Sequence, residues 1–152
     1  MPAERPGRDQ YVYWEQQTTR WADIDVYGHM NNARYFEIID TVVNNHLEGA
    51  VHLGADLRTL PVIGVVAEVG CRYFAEVHYP EPIDVGVAVE KVGTSSVVYR
   101  VGLFQGDPEG DGALARAEGR FVHVYVDNTD PARPVTPMPE EIRAAVTPLL
   151  RA

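Results

Sequence analysis

Between residues 32 and 48 apolar side chains fall at Tyr35, Ile38, Ile39, Val42, Val43 and Leu47, the three-and-four spacing of a buried helical stripe. Asn31 or Asn32 can supply the N-cap oxygen, and Gly49 stands where a left-handed residue would end the helix. After Pro61 the period changes to two. Ile63, Val65, Ala67, Val69, Cys71 and Tyr73 alternate with smaller or polar residues, and further runs follow over 83–90, 97–103 and 113–125. A strand over 11–21 is expected before the helix from its aromatic residues and threonines. Turn chemistry such as Tyr79-Pro80-Glu81-Pro82 and Gly93-Thr94-Ser95 separates the runs. Strands joined so closely pair antiparallel, and a helix with a broad apolar stripe needs a sheet to cover it. The expected fold class is α+β: one strand, one long helix, then a meander of about four strands curved around that helix. Residues 1–10 read as a loose terminus, and 128–152 as a Pro-rich connector with a short helix opening at Pro139-Glu140. The whole chain, 1–152, reads as a single domain.

Composition narrows the function classes. With 13 Lys+Arg against 22 Asp+Glu the chain carries a formal charge of −9, so its average field repels nucleic acid. A single cysteine, Cys71, allows neither an intrachain disulfide nor a cysteine-based zinc site. The N-terminus is polar, and no apolar run approaches the roughly 20 residues that cross a bilayer. These features lead to the expectation of a cytoplasmic protein with no metal, cofactor or membrane partner. Neither a Gly-x-Ser-x-Gly nucleophile elbow nor a Gly-x-Gly-x-x-Gly nucleotide loop occurs.

Chemistry-bearing residues crowd into Arg20–Tyr35, between the first strand and the helix. A helix start presents unpaired amides and the positive end of the macrodipole. Asp25 precedes those amides by seven residues across a turn at Gly28, so carboxylate and amides can face one point. Acyl transfer uses such a pair, a base or nucleophile on one side and an oxyanion hole on the other. Asp23 lies two residues earlier, and on an extended chain it would share a face with Asp25. His29 has two readings: a group titrating near neutral pH, or a residue that hydrogen-bonds the turn and lines the pocket rim. His123 reads as a satisfied sheet histidine, and Cys71 as a small core residue.

The stretch Asp25-Val26-Tyr27-Gly28-His29-Met30-Asn31-Asn32-Ala33-Arg34-Tyr35 resembles the 4-hydroxybenzoyl-CoA thioesterase-like branch of hotdog-fold acyl-CoA thioesterases. The resemblance extends over roughly 14–145, through Val69-Gly70-Cys71-Arg72-Tyr73 and Gly119-Arg120-Phe121-Val122-His123-Val124. It implies a hotdog fold that hydrolyses an acyl-CoA to free acid and coenzyme A. Asp25 would be nucleophile or general base, the Asn32 amide would polarise the thioester carbonyl, and Gly28 would let the chain pass close to the ligand. His29 is carried as a further catalytic candidate, and Asn31 and Tyr35 as substrate-lining residues, Tyr35 through packing. The resemblance also implies a homodimer or dimer of dimers, with Asp25 and Asn32 facing each other across the protomer boundary. Coenzyme A is an anion, and several relatives hold its phosphates with a basic hairpin tip. Here that tip is Gly93-Thr94-Ser95-Ser96 preceded by Lys91, leaving Lys91, Ser95, Ser96 and Arg100, or arginines from a partner chain, as candidates. Two other readings fit the resemblance: a non-catalytic acyl-thioester binder, and an enoyl-thioester hydratase. The hydratase pattern Asp-x-Asn-Pro-x-His lacks its Asn-Pro here.

Overall fold

The computed structural model describes residues 4–51 and 57–151. Strand β1 (Tyr13–Gln17) precedes helix α1 (Asn32–Val51), and β2 (Val62–Tyr73), β3 (Ile83–Val92), β4 (Ser96–Phe104) and β5 (Ala117–Asp127) follow, closed by α2 (Glu140–Val146). All pairings in the five-stranded sheet are antiparallel, in the order β1-β3-β4-β5-β2. This is the α+β hotdog architecture: a curved sheet against one long helix.

The six apolar positions of the helical stripe are the six buried residues of α1. They meet Val85, Val87, Val89, Val97, Tyr99, Val101, Phe121 and Tyr125 from the sheet in one cluster. The helix runs to Val51, and Gly49 lies inside it rather than ending it. The first strand is shorter than 11–21, because the chain leaves the sheet after Gln17 and enters a 3-10 turn at Trp21–Asp23. The last strand begins at Ala117 rather than 113.

Two differences concern the sheet itself. The four later strands do not form a simple meander: β3, β4 and β5 do, but β2 crosses over to pair with β5 and becomes the far edge. Period-two patterning tells which face a residue takes, not which strand lies beside it. The second difference is a bulge in β2. Val66 opposes His123 and Glu68 opposes Val122, so Ala67 has no partner and the alternation changes phase there. Gly64 and Val66 share the helix-facing side with Val69, Cys71 and Tyr73, while Ile63 and Val65 fall on the other side. The single run of 63, 65, 67, 69, 71 and 73 is therefore two half-runs of opposite phase.

The segment read as loose is bonded from Arg5 onward. Arg5 Nε donates to the Ala115 carbonyl at 3.0 Å, Arg8 Nε to Gly112 at 2.7 Å, and Arg8 pairs with Asp84 at 3.1 Å. These anchors lie 76 to 110 residues away along the chain, which is why local composition did not reveal them. They lay Tyr11 across the outer face of the sheet, where it clusters with Phe104, Ala88, Ala115 and Trp14. Gly86 and Gly102 oppose each other in register beneath that ring, and a Cβ on them would come within 2.8 Å and 2.6 Å of Tyr11. The Tyr11 hydroxyl donates to the buried Glu118 carboxylate, which also takes Arg72 at 3.0 Å.

Candidate active site

The turn that carries Asp25 is braced from below by Asp23. Arg20 Nε and Nη2 donate to Asp23 Oδ1 at 3.0 and 2.6 Å, and Arg34 Nε donates to Oδ2 at 3.2 Å. Burial opposes ionisation of this carboxyl, but the bonds from Arg20 and the charge of Arg34 outweigh it and hold its pKa below the ordinary range. With its side chain only 2% exposed, Asp23 is consumed in the scaffold and shares no open face with Asp25. Among the described residues, no group of His, Cys, Asp and Glu could hold a metal.

From there the chain makes a narrow loop. Ile24 bridges to Met30, the Asp25 amide donates to the His29 carbonyl at 2.8 Å, and the Gly28 amide donates to the Asp25 carbonyl at 3.1 Å. Gly28 sits at φ +81, a conformation that L side chains rarely adopt. A Cβ there would meet nothing within 4 Å, so in this chain the glycine is required by the turn and not by a close neighbour. Asp25 Oδ1 accepts from the amides of Tyr27 at 2.9 Å and His29 at 3.2 Å. Asp25 Oδ2 has no protein donor among the described residues. One oxygen is thus held and the other is open.

The loop delivers the chain to the helix start. The Asn31 amide donates to the Asp23 carbonyl at 2.6 Å, and the Asn31 side chain caps α1 by accepting from the Ala33 amide at 3.0 Å. Asn31 is therefore the N-cap, and its oxygen is occupied. Asn32 is the first helical residue, and its amide has no acceptor among the described residues, as expected for a first-turn donor. Its side-chain oxygen accepts from the Tyr73 hydroxyl, and the Tyr73 ring meets Tyr35 edge-on at 5.0 Å. Burial pushes both phenols up to about 12, so each keeps its proton at neutral pH.

Asp25, His29, Asn32, Tyr35, Tyr73 and Glu76 line one open cavity of about 400 Å³. Asp25, His29, Asn32 and Tyr35 of the sequence motif thus converge on one cavity, which Gly28 and Asn31 do not line. His29 Nε2 lies 2.9 Å from Glu76 Oε1, at the rim of this cavity. Glu76 carried no sequence signal, because it lies in an irregular connection between β2 and β3. Tyr73 was visible only as a strand residue; what its hydroxyl does depends on α1 lying beside the end of β2. Lys91, Ser95 and Ser96 line neither this cavity nor a larger one described below. Their hairpin is tied instead to the C-terminal segment, with Met138 and Arg143 donating to carbonyls of Thr94 and Gly93. Arg100 lies on the outer face, 4.0 Å from Glu118.

The larger cavity, about 570 Å³, opens at the other end of the helix. Leu47, Val62, Ile63, Tyr125 and Ile142 form much of its wall, beside Gly64 and His123. His123 is 4% exposed, and its Nδ1 has no hydrogen-bond partner, so it is not the satisfied sheet histidine that its strand position suggested. Burial pushes its pKa down to about 4.

Comparison with known proteins places this geometry in context. A model of the thioesterase-like superfamily matches residues 19–146. The structure of PA5185 from Pseudomonas aeruginosa strain PAO1 superposes with a TM-score of 0.85 at 40% identity, over 98% of this chain and 99% of that one. PA2801 from Pseudomonas aeruginosa, provisionally described as a thioesterase, gives 0.75 at 30% identity, over 90% and 99%. Slr0204 from Synechocystis, a 1,4-dihydroxy-2-naphthoyl-CoA thioesterase, shares the fold with a TM-score of 0.73 at 14% identity, over 88% and 94%. No curated protein matches the chain. No helix among the described residues is long and apolar enough to cross a membrane.

Proposed function

The chain belongs to the thioesterase-like superfamily, and from that premise we propose that it hydrolyses an acyl-CoA thioester to a free acid and coenzyme A at Asp25. The observation that carries this reading is one cavity lined by both a half-open carboxylate and the first residue of a long helix, whose amide is free. The thioester carbonyl oxygen takes the Asn32 amide, where backbone donor and helix dipole stabilise the charge that develops on it. Asp25 stands on the other side of the carbonyl carbon. Either its open oxygen attacks that carbon, or it takes a proton from a water that does. In both versions the carbon–sulfur bond breaks, the sulfur leaves as a thiol, and water supplies the new oxygen of the acid. The amides of Tyr27 and His29 fix the carboxylate through its other oxygen, which keeps the open one aimed. Coenzyme A as the leaving group is supported by the named substrate of Slr0204, which shares the fold. The reading includes a homodimer or dimer of dimers.

The test is thiol release from aromatic, short, medium and long acyl-CoAs, with Asp25→Asn beside the wild type. Release that Asp25→Asn abolishes, with an unchanged melting temperature, supports hydrolysis at Asp25. Tight binding with an unhydrolysed complex accumulating in the wild type would make the chain an acyl-thioester binder and overturn the proposal. A second variant isolates the oxyanion donor. Proline is tolerated at the first helical position, so Asn32→Pro removes the amide while Asn31 still caps the helix. It should fall about a hundredfold below Asn32→Ala in kcat. Equal rates would remove the Asn32 amide from the mechanism.

A further inference from the structure

Asn31 and Asn32 are adjacent residues of one type, and the helix start uses them differently. The Asn31 oxygen caps α1 by accepting from the Ala33 amide at 3.0 Å, and Asn31 lines no part of the smaller cavity. Asn32 is the first residue of α1 and lines that cavity together with Asp25. Its backbone amide is free, as a first-turn donor is expected to be. Its side chain is held at one end and open at the other. Oδ1 accepts from the Tyr73 hydroxyl, and Nδ2 has no acceptor among the described residues.

Tyr73 ends β2, opposite Ala117 of β5 and on the side that faces α1. Its ring stands edge-on to the buried Tyr35 ring at 5.0 Å, with 89° between the planes. Strand end and helix stripe thus fix the ring, and its hydroxyl reaches Asn32. Burial pushes the phenol up to about 12, so at neutral pH it keeps a proton to donate to an oxygen. A carboxamide has an acceptor end and a donor end of nearly equal size, so shape alone does not decide which end faces a ligand. With Oδ1 taken by Tyr73, the end left for the cavity is Nδ2. Of the other polar side chains on this wall, Asp25 and Glu76 carry carboxylates, and His29 turns Nε2 to Glu76 at 2.9 Å.

We propose that Nδ2 of Asn32 is a second donor to the thioester carbonyl oxygen, alongside the Asn32 backbone amide, and that Tyr73 is the residue that positions it. This rests on the hydrolytic reading of Asp25 and adds to it the second half of the oxyanion hole. Negative charge grows on the carbonyl oxygen as its carbon becomes tetrahedral, and each donor already aimed at that oxygen lowers the barrier. The backbone N–H and Nδ2 belong to one residue at the positive end of the helix, so both reach one oxygen from the same side. Tyr73 touches no reacting atom. Without its hydroxyl the carboxamide can turn over, and Oδ1 would then face the developing oxyanion and repel it.

Steady-state kinetics test this, on whichever acyl-CoA the wild type cleaves fastest. Asn32→Ala should lower kcat about a hundredfold. Tyr73→Phe should lower it about tenfold, the loss of one orienting hydrogen bond, with KM unchanged. In the Asn32→Ala background Tyr73→Phe should cost nothing more, because no carboxamide is left to orient. The same tenfold loss in both backgrounds would make Tyr73 a prop for the fold and overturn the proposal. Asn32→Asp separates donor from scaffold. It keeps an oxygen for Tyr73 and suits the positive end of the helix, so the melting temperature should hold, yet kcat should fall at least as far as in Asn32→Ala. Turnover retained in Asn32→Asp overturns the proposal. A wild type that cleaves no acyl-CoA would be a failure of the hydrolytic reading alone. The donors are then read on the ketone analogue of acetyl-CoA, in which a methylene replaces the sulfur. Its infrared carbonyl stretch should drop on binding to the wild type, and move part of the way back in both Asn32→Ala and Tyr73→Phe. No binding by the wild type, or a stretch that neither variant moves, overturns the proposal.

Discussion

Asp23 and Asp25 are the same residue type two positions apart, and their surroundings give them opposite tasks. Asp23 holds the turn through Arg20 and Arg34, while Asp25 keeps one oxygen open in a cavity. Removing the first should cost stability and removing the second should cost activity. Asp23→Asn loses charge-assisted bonds and should lower unfolding free energy by about 2 kcal/mol in urea titration. Gly28→Ala forces an alanine to φ +81 and should cost about 1 kcal/mol, with a loss of turnover as the Asp25 loop shifts. His123 gives the chain a pH limb of its own. Unfolded, it binds a proton near 6.5; folded, only near 4. Between those values the unfolded state takes a proton that the folded state refuses. Stability is therefore full above about 6.5 and falls by up to about 3 kcal/mol as pH drops to 4. Thermal melts of His123→Leu should lose most of that limb, the remainder belonging to His46, whose pKa burial also lowers, and an undiminished limb in the variant would assign the loss elsewhere. At this scale the motif made Asp25, His29, Asn32 and Tyr35 legible as neighbours. Glu76 was not legible, because its place at the rim depends on how the β2–β3 connection returns past the helix start.

Among the elements, α1 was the most readable, since its stripe depends on one local period and on nothing distant. β2 was the least. A bulge with no glycine or proline to mark it reversed the phase after Val66, and the choice of β5 as neighbour is a property of the whole sheet. The N-terminal segment shows the same limit: its composition is that of a tail, yet it is held by bonds to residues 84 and 112–115. Its fit over the outer face can be tested at the two glycines. Gly102→Ala would place a methyl 2.6 Å from the Tyr11 ring and should cost about 2 kcal/mol by urea denaturation. Combined with Tyr11→Ala, the loss should be less than the sum of the two, because the methyl then has room. Strict additivity would show that the ring does not occupy the slot.

For the whole molecule, the exposed edge of β2 is where the proposed homodimer can be tested. Val69→Glu places a charge on that edge, at a residue 40% exposed in the single chain. Light scattering should then report half the wild-type mass, with the fold intact by circular dichroism. An unchanged mass would move the assembly contact away from this edge. The unpaired Ala67 bears on the same edge in another way. It works as a comma in the strand: everything after it is read from the opposite face. Deleting that one residue would leave Val66 opposite His123 and Glu68 opposite Val122 in plain alternation, so Val69, Cys71 and Tyr73 would keep facing the helix. A chain of this kind can therefore lose a residue at this one place more readily than elsewhere along β2, and any history of length change within the strand should be written at the bulge.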